Sequence, residues 1–304
     1  MIKNWILTGD THGGVATISR VSNINRNMPQ YEPEETAIII LGDSGLNFYL
    51  NNTDKKYKKL LNNQGYHIYC VRGNHEERPE NLGYELNYDP EVFGLVYHDP
   101  DFDNIKYFVD GGEYQIGKYS ALVIGGAYSI DKWYRLARAG YAPGEAETAN
   151  PKKCGWFKDE QLTEDECNDI WDKVQGKHYD FVFTHTAPLD WEPTDLFLNG
   201  IDQSTVDKSM EVWLNKLKDC FSWGVWCFGH YHADRVERLY VEQFYMDYED
   251  INVVWNRYYN ECTYTKEWWL PKSQYMNFWE NSEEGQAWLN FVSPLASSDS
   301  DIDW

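Results

Sequence analysis

Short apolar runs recur along the chain, and five of them stop abruptly at polar residues. "NWILTGD", "TAIIILGD", "YHIYCVRGN", "YDFVFTHTAP" and "WGVWCFGHYH" each read as a buried strand ending in a turn. A polar segment near residues 15–27 has helical character. "TDKKYKKLLNNQG" reads as a helix with Thr53 or Asp54 near its cap and Gly65 at its end. Strand and helix in alternation argue an α/β architecture with parallel pairing.

The middle of the chain has a different rhythm. "IKYFVDGGEYQIGKYSALVIGGAYS" holds three extended runs separated by Gly-Gly and Gly-Lys turns, and reads as a β-meander or hairpins. "DKWYRLARAG" suggests a short helix. Thr163 and Glu166 have the spacing of a capping box, and "STVDKSMEVWLNKLKD" reads as a further helix. After about residue 250 the period weakens into aromatic and polar sequence, and the acidic tail "SSDSDIDW" reads as disordered. The expected organisation is one domain over residues 1–250 and a C-terminal extension over 251–304.

Composition narrows the function. The 304 residues suffice for a sizeable core, and 42% of them are hydrophobic. A net charge of -22 repels polyanions, so non-specific nucleic-acid binding and acidic membrane surfaces are not expected partners. A phosphate substrate is still allowed, because bound divalent cations make a local positive site in an acidic field. The six cysteines form no C-x-x-C pair and read as reduced thiols. The first apolar run breaks at Asp10, too short for a signal peptide or a membrane span, so a cytoplasmic location is expected. The late tryptophans Trp255, Trp268, Trp269, Trp279 and Trp288 offer either a stacking surface or packing of the extension.

The five strand ends carry ligand-type side chains in order. They are Asp10 and His12, Asp43, Asn74 and His75, His185, then His230 and His232. In extended backbone residues i and i+2 point the same way, so Asp10 with His12 and His230 with His232 can each address one site. Strand ends of an open α/β sheet converge on a crevice. Carboxylate, imidazole and amide without thiolate suit Mn, Fe or Zn. The set is too large for one tetrahedral ion, whereas two divalent metal ions sharing a carboxylate would use it all. Each motif alone is weak, since Gly-Asp also marks turns, but five in order after apolar runs are not coincidence.

This set, D-x-H, G-D, G-N-H-E, H and G-H-x-H over residues 8–232, resembles the calcineurin-like metallophosphoesterase superfamily. The resemblance implies two mixed β-sheets packed as a sandwich flanked by helices, with two metals at the strand ends. It implies that Asp10, His12, Asp43 and His232 hold one metal. Asp43, Asn74, His185 and His230 hold the other, with Asp43 bridging. A metal-bridging hydroxide would attack phosphorus in line, and His75 would stabilise or protonate the departing oxygen. Protein phosphatases of the superfamily carry G-D-x-x-D-R-G, whereas "GDSGLNF" places Leu46 at the second Asp and has no Arg. This favours a bacterial or phage-type phosphoesterase, and leaves Asn47 or Glu76 as candidates to orient His75.

Arg78, Tyr128 and Arg135 are candidate substrate contacts, because an Arg beside two metals can clamp a phosphate. Each Arg also reads as a surface cation beside an acid. The leading expectation is a dinuclear phosphoesterase inclined to phosphodiesters, with a nucleotide among the candidate substrates. A phosphomonoesterase on a small phosphate or phosphoprotein, and a catalytically silent metal-binding scaffold for a protein partner, are the alternatives.

Overall fold

A computed structural model describes residues 1–197, 202–238 and 240–259. The chain opens with β1 (Asn4–Thr8), α1 (Gly14–Asn27), β2 (Thr36–Ile40), α2 (Asn52–Asn62) and β3 (His67–Cys70). Then come β4 (Glu85–Asp89), β5 (Gly94–His98), β6 (Ile105–Phe108), β7 (Gly112–Ile116) and β8 (Tyr119–Ile124). The next stretch holds α3 (Lys132–Arg138), α4 (Pro151–Cys154), α5 (Glu164–Val174), β9 (His178–Thr184), α6 (Ser209–Leu217) and β10 (Ser222–Phe228). It is followed by β11 (Arg235–Arg238), β12 (Val241–Gln243), β13 (Tyr248–Asp250) and α7 (Ile251–Tyr259).

These strands build two mixed sheets. One runs β13-β1-β2-β3-β6-β5-β4 and the other β11-β12-β10-β9-β8-β7. β1, β2, β3 and β6 are parallel, as are β8, β9, β10 and β12, and the antiparallel strands sit at the edges. Alternation along the first sheet sorts its two faces. Ile6, Ile38, Ile40, Ile68, Cys70, Ile105 and Tyr107 pack with Val21 and Ile24 of α1 and Leu61 of α2. The opposite face presents Trp5, Tyr69 and Phe108, whose rings step on to Tyr114 of β7 at centroid distances of 5.4, 5.3 and 4.5 Å. That aromatic ladder joins the sheets, and each buried ring of this size contributes about 1.5–3 kcal/mol.

The three runs expected as a meander are divided between the sheets. β7 and β8 form the hairpin, but β6 pairs with β3 and β5, and the turn at Val109–Gly111 carries the chain across. The crossing buries the hydrophobic faces of both runs, which one continuous meander would not. The β4–β5 hairpin was not anticipated, because β4 is exposed over most of its length and lacks a buried apolar face. The cap of α2 is Asn51, which accepts from Thr53 N at 2.7 Å, rather than Thr53 or Asp54. Asp54 instead turns back to accept from the backbone of Tyr49 and Leu50. The Thr163–Glu166 capping box is formed as read.

α7 lies beyond residue 250, and its Trp255 packs on Tyr119 and Phe181. The acidic tail and Trp268, Trp269, Trp279 and Trp288 lie outside the described residues. No helix among the described residues is long and apolar enough to cross a membrane.

A buried ion pair anchors the loop after β2. Lys58 Nζ of α2 lies 2.6 Å from Asp99 Oδ2, and both side chains are at most 5% exposed. The same ammonium donates to Asn47 Oδ1 at 2.6 Å, so it holds the loop that begins at Asp43. Removing one partner would leave the other charge buried and uncompensated. Asp99→Ala is therefore expected to destabilise the protein by about 3–5 kcal/mol in urea unfolding; a change under about 1 kcal/mol would show that the pair is dispensable.

Candidate active site

The strand registers bring the ligand-bearing turns together. Thr8 aligns with Ile40 and Ile40 with Cys70, so Asp10, Asp43 and Asn74 follow three adjacent strand ends. Ile124, Thr184 and Phe228 align likewise in the other sheet, so His185 and His230 emerge beside each other. His185 Nδ1 donates to Leu41 O at 2.8 Å, a bond from one sheet to the other. Four of the turn residues, His12, Asp43, His230 and His232, have φ between 46° and 69°. Left-handed backbone is strained for a side-chain-bearing residue, and its concentration here marks a constructed site.

Glycine permits the closest approaches. A Cβ on Gly73 would lie 1.9 Å from Asp43 Oδ1, and one on Gly42 would lie 2.0 Å from His185 Nδ1. Glycines at "LGD" and "RGN" are thus required by packing against the ligands themselves.

Two clusters of acceptor atoms result. In the first, Asp10 Oδ2 lies 2.8 Å from His12 Nε2 and 3.2 Å from His232 Nε2, and the two imidazole nitrogens are 2.5 Å apart. In the second, His185 Nε2 lies 3.6 Å from Asp43 Oδ2 and 2.9 Å from Asn74 Oδ1. His230 stands beside it, its ring 5.0 Å from that of His185. His12 Nδ1, 3.7 Å from Asp43 Oδ2, links the clusters. His12, Asp43 and His75 also offer ligand atoms within 4.8 Å of one another.

Both carboxylate oxygens of Asp10 and Oδ2 of Asp43 are buried without a hydrogen-bond partner. With Nδ1–H engaged by Leu41 O, His185 turns Nε2 toward Asp43 and Asn74, where in the metal-free protein it carries a proton that a bound cation would displace. Asn74 Nδ2 donates to Ser129 Oγ at 2.9 Å, which directs its Oδ1 inward. Lone pairs from carboxylate, amide and imidazole therefore meet with few protons between them. Isolated from water, such a set is unfavourable, and divalent cations satisfy it. The residues present fit divalent metal binding.

Titration follows the same logic. Burial pushes Asp10 and Asp43 up, but neighbouring histidines override it, holding Asp10 at about 2 and Asp43 well below the usual range. Burial lowers His185, yet Asp43 outweighs burial and draws it up to about 9. Burial and the His185 charge take His230 down to about 3, leaving it a neutral donor. His75 is lowered by burial, with Asp43 opposing.

The calcineurin-like phosphoesterase family profile matches residues 5–234. The chain belongs to this family. No curated protein matches it. The family implies metal-dependent phosphoester hydrolysis, and the matched span covers every strand-end ligand named above.

Above the clusters lies a cavity of about 580 Å³, lined among others by His75, Tyr128 and Arg135. Arg135 donates through Nε to Asp131 at 2.7 Å and through Nη1 to Gly155 O at 3.1 Å. Arg78 does not line the cavity; it is held by Glu166 at 2.6 Å and by the carbonyls of Asp159 and Gln161. Leu46 is fully buried in the helix-facing core. Neither Asn47 nor Glu76 hydrogen-bonds the His75 side chain. Asn47 Oδ1 serves Lys58, and Glu76 accepts from Ser44 and Gly73 N. The contact that the structure does provide is from the His75 backbone N–H to Asp43 Oδ1 at 2.8 Å.

Sequence reasoning missed the groups that aim the ligands. Ser129 accepts from Asn74 and donates to Glu160 Oε2 at 2.5 Å, and Glu160 Oε1 accepts from Ser129 N. Ser129 sits beside the flagged Tyr128, but nothing in "WFKDEQL" singles out Glu160. Outer partners of this kind typically contribute 10–100-fold to metal affinity. Ser129→Ala is expected to weaken Mn binding by about that factor in calorimetric titration, and unchanged affinity would remove the chain from the site.

Burial raises Glu160 from 4.5 to about 7, against hydrogen bonds from Ser129. The folded protein then holds an extra proton between those two values, so this stabilisation is present below pH 4.5 and lost as pH rises through 7. In metal-free protein, the wild-type stability relative to Glu160→Gln should fall over that window by on the order of 3 kcal/mol. Denaturant midpoints measured across the window test this, and parallel profiles would contradict it.

Proposed function

We propose that the chain is a dinuclear metal-dependent phosphoesterase. The reading is carried by the buried, unpartnered oxygens of Asp10 and Asp43 beneath an open cavity. In it Asp10, His12, Asp43 and His232 hold one divalent ion, and Asp43, Asn74, His185 and His230 the other. Mn, Fe or Zn held in these positions would supply an activated water and neutralise the phosphoryl oxygens.

The chain's own groups do the rest. Leu41 O holds the tautomer of His185, and Ser129 keeps the Asn74 carbonyl turned inward. His75 faces the cavity and stabilises or protonates the departing oxygen. Arg135 binds a non-bridging oxygen, and Tyr128 lines the same wall. Arg135 is the one Lys or Arg side chain among the lining residues, and Glu192 and Glu211 share the lining. That balance suits a phosphodiester, with one negative charge, better than a monoester.

Paired aryl phosphate mono- and diesters assayed with Mn, Fe and Zn test the proposal. Diester turnover should exceed monoester turnover, vanish in Asp43→Ala, and fall about 10²–10⁴-fold in kcat in His75→Ala with metal binding retained. Two bound metals without turnover of either ester would overturn it in favour of a binding scaffold.

A further inference from the structure

The cavity has a second wall unlike its metal-facing floor. Ile130, Leu196, Phe197 and Val206 make it largely apolar, and the Phe197 and Tyr231 rings lie 6.4 Å apart and inclined by only 23°. Into this wall the first turn of α6 sets Glu211, 4% exposed. Tyr231 lies between two ligand histidines and Thr186 directly follows a third. The Thr186 hydroxyl donates to Glu211 Oε1 at 2.7 Å and meets the Tyr231 hydroxyl at 3.0 Å, so Tyr231 is the donor to Thr186. The carboxyl is thus fixed by the same strand ends that hold the ligands.

Its other oxygen has no such anchor. Glu211 Oε2 is buried and has no hydrogen-bond partner among the described residues. The neighbouring Glu192 differs, because Lys208 pairs with it at 2.7 Å. An acceptor buried without a donor is unfavourable, and a ligand group that donates to it recovers the lost bond. A site built this way rejects analogues lacking the donor more strongly than an apolar pocket rejects a wrong shape.

We propose that Glu211 is a specificity-determining residue that accepts a hydrogen bond from an N–H on the ester's organic group. That group is the flat base of a small nucleoside phosphate. The apolar wall takes the faces of the ring, Glu211 reads its edge, and the phosphate reaches the floor. The net charge of -22 opposes a polynucleotide and leaves the small ester. The inference rests on the phosphoesterase reading for the role of the floor.

The probe is inosine 5′-monophosphate, whose base edge carries one N–H, against its N1-methyl analogue. Binding is measured by calorimetry on the Mn-loaded protein at pH 8, and turnover on the p-nitrophenyl esters of the two nucleotides. Wild type should prefer the N–H form by about tenfold or more. In Glu211→Gln, where an amide donor replaces the free acceptor, the preference should collapse. Equal binding of both forms by wild type overturns the proposal. So does a preference of the same size in both proteins, which would show that the methyl group is merely excluded by size. If the variant does not fold, the N1 proton of ¹⁵N-labelled inosine monophosphate decides on wild type alone. A downfield shift on binding supports the carboxylate contact, and an unmoved resonance overturns it. Turnover without the preference removes this inference alone. Preference in binding without metal-dependent turnover removes the phosphoesterase reading alone.

Discussion

Asp43 is a carboxylate with almost no access to water, placed where two sheets end. Burial on that scale is unfavourable for a charge unless opposite charge and hydrogen bonds surround it. The structure supplies the His75 backbone N–H on one oxygen and turns two imidazoles toward the other. The glycines at positions 42 and 73, the left-handed turns and the bond from His185 to Leu41 follow from holding that carboxylate in reach of its partners. The rest of the arrangement gathers further carboxylate, amide and imidazole groups around that carboxylate, a set suited to divalent cations.

An acidic chain is a suitable host for such a centre. Its field would favour bound cations while repelling long polyanions, so a cation-loaded centre would be the local positive site in a negative surface. The cavity above continues the theme. One guanidinium faces it, and its acids are treated unequally: Glu192 is neutralised by Lys208, whereas Glu211 is anchored by hydroxyls and keeps one oxygen free. Stability and function pull apart at these buried carboxyls. Each is tolerated because well-packed aromatic and aliphatic layers on both faces of the first sheet supply the surplus.

The α/β rhythm was legible because buried parallel strands are short apolar runs, and each ended in a turn with its own polar signature. β4 was not legible, because an exposed edge strand needs no apolar pattern. The crossing at Val109–Gly111 was not legible either, because a Gly-Gly turn looks the same whether the chain stays in one sheet or changes to another. In the site, residue type, order and spacing mark the candidate ligands that the structure brings together. Their supports are not so marked. Ser129 reaches Asn74 through one hydrogen bond across 55 residues, and Glu160 reaches Ser129 through two across 31.

Arg78 shows the limit most directly. An Arg three residues past the G-N-H-E histidine reads as a phosphate clamp, yet its guanidinium is spent on Glu166 and two carbonyls, while Arg135 reaches the cavity from a distant helix. Hydrophobic periodicity and strand-end chemistry are local properties, so the sequence by itself determined the layered class, the order of ligands and the family they resemble. Which oxygens stay unpartnered, which cation faces the cavity and which carboxyl waits on its far wall depend on contacts between segments remote in the chain. Only the tertiary structure decided those, because a side chain's free valence is whatever its spatial neighbours leave unused.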